Sequence, residues 1–321
     1  MIPALERSPA FPPLLVVAGG TATGKTGLSL ALAERLGGAE IISADSRQVY
    51  RYMDIGTAKV GPAERARVPH HGLDLVDPDE QFTAADFQRY AYAVLGEIGT
   101  RGDWAILVGG TGLYLRTVGR GMALETDAAD PTVRASLEER LEREGPAPLV
   151  EELLRIAPSL AAATHLANPR RVVRALERAR LVGDRLPEPP RGYPGPVLWM
   201  GLRLGRDEQD RRIAVRAAGQ FAAGLVAEAV ALRERFGVHP RAFSAFGYFE
   251  ALGVADGQLD ETTAIARDVA RTRDYARRQA TWFRGEPGIR WFGAEADPLP
   301  AVLQVVEPWL EAARADPASE R

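Results

Sequence analysis

Cysteine is absent from the 321-residue chain. Disulfides, thiolate metal sites and cysteine nucleophiles are thereby excluded, and the expectation is a cytoplasmic protein in a reducing compartment. Histidine is scarce: His70, His71, His165 and His239 show no metal-ligand spacing, so no zinc site is expected. His70 and His71 read as structural or loop residues. No apolar run approaches the roughly 20 residues that span a bilayer. The N-terminal MIPALERSPAFPP also lacks a basic start followed by an apolar stretch. The chain is expected to be neither secreted nor membrane-embedded. Net charge is only −3, which argues against wholesale coating of nucleic acid and requires any positive surface to be local. No GxSxG elbow is present, so a serine-hydrolase reading has no support.

What is present fits roughly one large or two modest domains. The apolar share of 46% and charged share of 26% are those of an ordinary globular protein. Residues 14–18, LLVVA, form a short branched apolar run, as a buried parallel strand requires, and a glycine-rich turn follows at once. A helix is predicted from about Lys25 to Leu36, with Gly37-Gly38 as its stop. A second strand, Glu40 to Ala44, ends on Asp45, and a third, Trp104 to Val108, runs into Gly109-Gly110-Thr111-Gly112. Strand, helix, strand predicts an α/β fold.

From about Gly121 to Leu186 helical signals replace strand signals. Asp130-Pro131 and Asn168-Pro169 each pair an N-cap with proline at the first helical position. This segment reads as an inserted all-helical subdomain, closed by the Pro/Gly-rich Leu186 to Pro196, with Val197 to Leu204 as a returning strand. The expected domains are 1–120 with 197–321, a parallel sheet core with C-terminal helices, and 121–196, the insertion. Long helical segments are predicted near Asp207 to Phe236 and Thr262 to Phe283. The tails before Leu14 and after about Ala312 read as disordered.

Gly19-Gly20-Thr21-Ala22-Thr23-Gly24-Lys25-Thr26 matches GxxxxGK[ST] between a predicted strand and a predicted helix, the context that this phosphate loop requires. Loop amides and the helix N-terminus cradle phosphate oxygens, Lys25 adds a point charge, and the Thr26 hydroxyl can ligate Mg²⁺. Nucleotide hydrolysis needs an acidic partner ending a later strand. None is there; Trp104 to Val108 ends in Gly-Gly-Thr-Gly instead. Asp45, at the end of the second strand, is the nearest well-placed carboxylate, a Mg²⁺ ligand or general base on one reading and a turn cap within ADSRQ on another. Gly109 to Gly112 reads equally as a site or as a tight turn.

Seven blocks then resemble one family, the tRNA dimethylallyltransferases or isopentenyltransferases, in family order. They are GGTATGKT (19–26), ISADSRQVYRYMDIGTAK (42–59), HHGLDLVDPDEQFTAADF (70–87), VGGTGLYL (108–115), NPRRVVRALE (168–177), DRRIAVR (210–216) and TRDYARRQATWFR (272–284). The resemblance implies a P-loop NTPase-like fold and transfer of a dimethylallyl group from dimethylallyl diphosphate to N6 of the adenosine 3′ of the anticodon, with Mg²⁺. On that reading the loop at 19–26, with Lys25, Thr26 and Arg212, holds the diphosphate that leaves. Asp45 takes the amine proton as general base, and Thr26 and Asp45 are the implied metal ligands. From spacing alone Arg212 reads as a helix-surface partner of Asp207, Glu208 or Asp210; only the resemblance raises it.

The same resemblance assigns tRNA contact, through the anticodon stem-loop, to Asp45, Ser46, Arg47, Gln48, Thr111, Arg134, Pro169, Arg170, Arg171, Val172 and Val173. A monomer is implied. Between Arg267 and Arg284 six arginines face two aspartates, and Arg267, Arg271, Tyr275, Arg278 and Trp282 recur at helical spacing. One face thus mixes guanidinium groups with aromatic planes, as phosphate contact plus base stacking requires, and Arg278 is the stripe's chosen RNA contact. A solvated helix with Tyr275 and Trp282 in the core accounts for the same pattern. Further basic patches lie at Arg47, Arg51 and Lys59. One position departs from the family: Phe249 stands in Gly247-Tyr248-Phe249-Glu250 where a basic residue is usual. A P-loop kinase of a small metabolite or nucleoside is the competing reading, because it shares the loop and an Asp ending the second strand.

Overall fold

The computed structural model describes residues 11–122, 124 and 129–315. Its centre is β1 (Leu14–Gly19), in which every residue is buried. Leu14, Val16 and Ala18 face one hydrophobic layer while Leu15 and Val17 face another, so the run is apolar on both faces because helices cover both. Around it stand β2 (Ala39–Ser43), β3 (His70–His71), β4 (Trp104–Gly109), β5 (Val197–Arg203) and β6 (Arg290–Gly293), all parallel, in the order β3-β2-β4-β1-β5-β6.

The helices of this core are α1 (Lys25–Leu36), α2 (Pro62–Arg67), α3 (Ala84–Arg101) and α4 (Gly112–Gly119) in its first half. Four helices from the inserted segment come next: α5 (Pro131–Glu144), α6 (Pro146–Ile156), α7 (Pro158–Ala163) and α8 (Pro169–Val182). The chain then returns through α9 (Arg206–Ala222), α10 (Leu225–Phe236), α11 (Pro240–Phe243), α12 (Tyr248–Ala255), α13 (Glu261–Arg284) and α14 (Leu299–Ala315). Two compact units result, 1–121 with 192–321 and 122–191. The second has its own core of Leu137, Leu149, Leu153, Val172 and Leu176, and each of its helices starts with proline in the first turn. Asp130 accepts from the Thr132 and Val133 amides and Asn168 from that of Arg171, the caps their sequence predicts.

Three expectations change. The segment Asp207 to Phe236 is two helices bent by 63°, because Gly224 takes φ +103° and stops α9. The tails are shorter than expected: Phe11 packs edge-on against Tyr92 and Tyr193, Pro13 accepts from the Ala105 amide, and α14 continues to Ala315. Residues 1–10 and 316–321 lie outside the described residues. The strands β3 and β6 are additional. Among the described residues no single helix is long and apolar enough to cross a membrane.

Where β4 ends, Gly109 lies so close to β2 that an added Cβ would overlap the Ala44 carbonyl. Gly109→Ala is expected to destabilise the fold by about 1–3 kcal/mol or more and to displace the strand end that carries Asp45. Thermal unfolding and turnover together read this out; an unchanged melting temperature with full activity contradicts it.

Candidate active site

The strand β1 delivers Gly19 to a turn, and α1 starts at Lys25. Gly24 caps α1 without any side-chain bond, and the first turn holds no acidic residue. Its first amides therefore stay open to an anion. Inside the loop Thr23 Oγ1 donates to Gly20 O at 2.9 Å, and Lys25 Nζ donates to the same carbonyl at 2.6 Å. Burial lowers Lys25 to about 8, with Asp45 acting in the opposite direction and Arg216 in the same one. Lys25 thus stands within the electrostatic reach of Asp45 and Arg216.

Asp45 follows β2 at the carboxyl end of the sheet, where α/β folds bind ligands. Its Oδ1 accepts from the Arg47 amide at 2.8 Å, so the turn-cap reading is realised, while Oδ2 has no hydrogen bond among the described residues. Thr111, after β4, accepts from the Ser46 amide at 3.0 Å and joins the two turns. Tyr275 of α13 completes this side: burial raises its hydroxyl to about 12, Asp45 pushes the same way, and Thr111 and Gln279 oppose by hydrogen bonding. The glycine-threonine turn is therefore part of the cluster that holds Lys25, Asp45 and Tyr275.

Other residues from the sequence reading are tied up locally. Gln48 accepts from Ser43 Oγ and donates to Thr57 O and Ala58 O. Arg47 donates to Arg241 O. Arg51 pairs with Asp77, and Lys59 is buried among Tyr50 O, Asp54 and Asp74, so that patch is structural rather than a free positive surface. On α13, Arg271 pairs with Glu250, Arg273 with Asp210 and Arg277 with Asp274. Arg267, Arg278 and Arg284 have no ion pair among the described residues, and Arg278 lies over the Tyr275 ring at 5.7 Å. Trp282 sits beneath Gly112, with Arg116 over its ring. Half of the arginines between 267 and 284 are thus salt-bridged within the chain, and half are not.

The guanidinium of Arg212 donates to Glu208 at 2.6 Å and to Ala294 O at 3.0 Å, the local pairing that its spacing allowed. It lines a cavity of about 350 Å³ beside Thr23, Gly24 and Gly27, which Asp45 does not line. Arg216, one turn further on α9, has no hydrogen bond or ion pair among the described residues; burial lowers it, and Asp268 and Asp45 oppose. Asp268 itself is pushed up to about 6 by burial and by Glu250. Among the described residues, Arg216 is thus an uncommitted cation on the Asp45 side.

In the second unit, Arg134 grips buried Glu177 with two bonds of 3.0 and 2.9 Å. Val172 and Val173 face that unit's core, while Arg170 and Arg171, next to Pro169, are exposed. Phe249 is exposed next to Phe243. Two residues were given no role by the sequence, Gln209 and Gln279, although Gln279 lies within the block at 272–284. Both contact the phosphate loop from helices far away in sequence.

The IPP transferase family model matches residues 48–286. A protein of Geobacter sulfurreducens named tRNA dimethylallyltransferase is 44% identical over 87% of this chain and 91% of its own length. One of the same name from Acidothermus cellulolyticus is 42% identical over 95% and 97%. Among solved structures, the tRNA isopentenylpyrophosphate transferase of Bacillus halodurans superposes with a TM-score of 0.70 at 38% identity, covering 94% of this chain and 97% of that one.

Proposed function

The chain belongs to the IPP transferase family, and from that premise we propose that it moves a dimethylallyl group from dimethylallyl diphosphate to N6 of the adenosine 3′ of the anticodon in tRNA. The observation that carries this reading is the pairing of an anion-receiving loop with a half-free carboxylate: the Asp45 carboxylate acts on Lys25, and no aspartate ends β4. As the C–O bond of the donor breaks, loop amides, Lys25, Thr26 and an arginine of α9 stabilise the negative charge that gathers on diphosphate. The exocyclic amine attacks the allylic carbon and loses a proton to Asp45 Oδ2, the oxygen that Arg47 leaves open.

The donor set also suits Mg²⁺. The Thr26 hydroxyl is uncommitted, Asp45 Oδ1 keeps a lone pair beyond its bond from the Arg47 amide, and no cluster of three or more His, Cys, Asp or Glu offers a rival metal site among the described residues. Mg²⁺ is commonly held by one carboxylate together with substrate phosphates. When bound there it would neutralise diphosphate charge; the residues that would hold it are Thr26 and Asp45. For the acceptor, the reading takes Asp45 to Gln48, Thr111, Arg134, Pro169 to Val173 and Arg278 as the tRNA contact set, with 122–191 an RNA-gripping insertion. Ser46, Arg47 and Gln48 would act there through a backbone that their own bonds hold rigid. The enzyme is taken as a cytoplasmic monomer.

Incubation with Mg²⁺, labelled dimethylallyl diphosphate and total tRNA tests the reading. Label is expected in tRNA without ATP. No label, with the γ-phosphate of ATP consumed instead, returns the chain to the kinase class.

The depressed Lys25 sets a pH limit. Diphosphate raises the pKa of a lysine that it contacts, so affinity is full below the free-enzyme value of about 8 and declines above it, until the bound-state value is reached. The KM for dimethylallyl diphosphate is expected to rise by about 10-fold per pH unit above that point, the slope of one linked proton. A flat profile to pH 10 would sink the Lys25 assignment.

A further inference from the structure

Ala22 stands at φ +63° inside the phosphate loop, in the left-handed region that non-glycine residues enter only under constraint. The loop's amides that point at an anion cannot supply that constraint, because they are the binding groups. The residue just before Ala22 shows where it comes from. The Thr21 N–H donates to Gln279 Oε1 at 2.8 Å, and the Thr21 C=O accepts from Gln209 Nε2 at 2.8 Å. The two peptide units that flank Thr21 are thus each gripped, one by α13 and the other by α9. Gln279 is 5% exposed, and its Nε2 donates to Gly110 O at 2.8 Å, which ties the phosphate loop to the turn that carries Thr111. A Cβ on Gly20 would come within 2.7 Å of Gln209 Nε2, and one on Gly110 would overlap Gln279. Glycine at both positions is what lets the two amides approach. A buried glutamine is costly unless its amide is bonded, and here both ends are.

We propose that Gln209 and Gln279 are positioning residues, a clamp that holds Thr21 and so keeps Ala22 in the left-handed conformation in which the loop receives diphosphate. This rests on the reading of residues 19–26 as the diphosphate holder. Neither glutamine touches the reacting atoms; each acts through the loop. Without the clamp, Ala22 relaxes to ordinary backbone, the receptive loop becomes a minority, and apparent affinity falls by that fraction. Glycine at position 22 would occupy the same region without steric penalty.

The test measures binding of inorganic diphosphate with Mg²⁺ by calorimetry in wild type, Gln209→Leu, Gln279→Leu and the double variant Gln279→Leu/Ala22→Gly, alongside steady-state kinetics. Each leucine variant is expected to raise the diphosphate Kd and the KM for dimethylallyl diphosphate by about 10-fold, leaving kcat and the KM for tRNA within about 2-fold, and glycine at 22 should recover most of the loss. Gln209→Leu, on the half-buried first turn of α9, keeps the test alive should Gln279→Leu not fold. Unchanged diphosphate affinity in both leucine variants overturns the clamp. So does a loss that glycine at 22 fails to repair, since a merely structural defect would persist. Absence of any diphosphate binding by wild type removes the loop reading itself, and the clamp with it.

Discussion

Replacing Asp45 with asparagine is expected to lower kcat by about 10²–10⁴-fold, the range for losing a positioned general base. The substitution is gentle elsewhere. Asparagine keeps an oxygen for the Arg47 amide, so the turn after β2 is preserved, and Ser46 still donates to Thr111. What changes is the open end of the side chain, where an amide nitrogen replaces the oxygen that accepts the adenosine proton. Single-turnover prenylation together with the Kd for tRNA separates the two effects: rate should fall far more than RNA affinity, to which Asp45 is one contact among many. The alkaline limit should move as well. Asp45 raises Lys25, so its neutralisation lets Lys25 fall below about 8. Near wild-type turnover at pH 7 would end the general-base assignment.

Arg216→Met comes second in expected size. Removing a donor aimed at developing negative charge costs about 10²–10³-fold in kcat. Arg212→Met should cost distinctly less. Arg212 is already bound to Glu208 and to the Ala294 carbonyl, whereas half-buried Arg216 has no hydrogen-bonding partner among the described residues and senses Asp45. The family resemblance favours Arg212, and the geometry favours its neighbour one turn along. Parallel kinetics on the two variants, with diphosphate affinity measured for each, settle the order. A larger loss at Arg212 would mean that its pair with Glu208 opens when the donor binds.

Local signals were legible and long-range ones were not. The strand β1, the helix α1 and the caps Asp130 and Asn168 are each specified within a few residues, and each lies within a residue or so of its sequence-derived position. The strands β3 and β6 are only two and four residues long and mostly not buried; pairing to β2 and β5, rather than any pattern of their own, makes them strands. The break before α10 hangs on one glycine, which a helical pattern tolerates until its φ is known. Lys59 looked like a surface cation because a sequence shows charge but not partners; Asp54 and Asp74 draw it inside. Gln279 meets Thr21 across 258 positions, a distance at which a single sequence carries no signal.

The chain order of the sheet also bears on how the protein is made. Of the six strands, the central β1 is the first to leave the ribosome, yet one of its two neighbours, β5, lies beyond the whole helical insertion. Residues 122–191 form a contiguous unit with its own core and can complete while the first unit waits, one long flank of β1 still without a hydrogen-bonding mate. An unpaired apolar edge is a template for wrong pairing. The interval of translation between Gly19 and Val197 is therefore when this chain is most exposed to aggregation, and it sets the period over which a chaperone would have most to do.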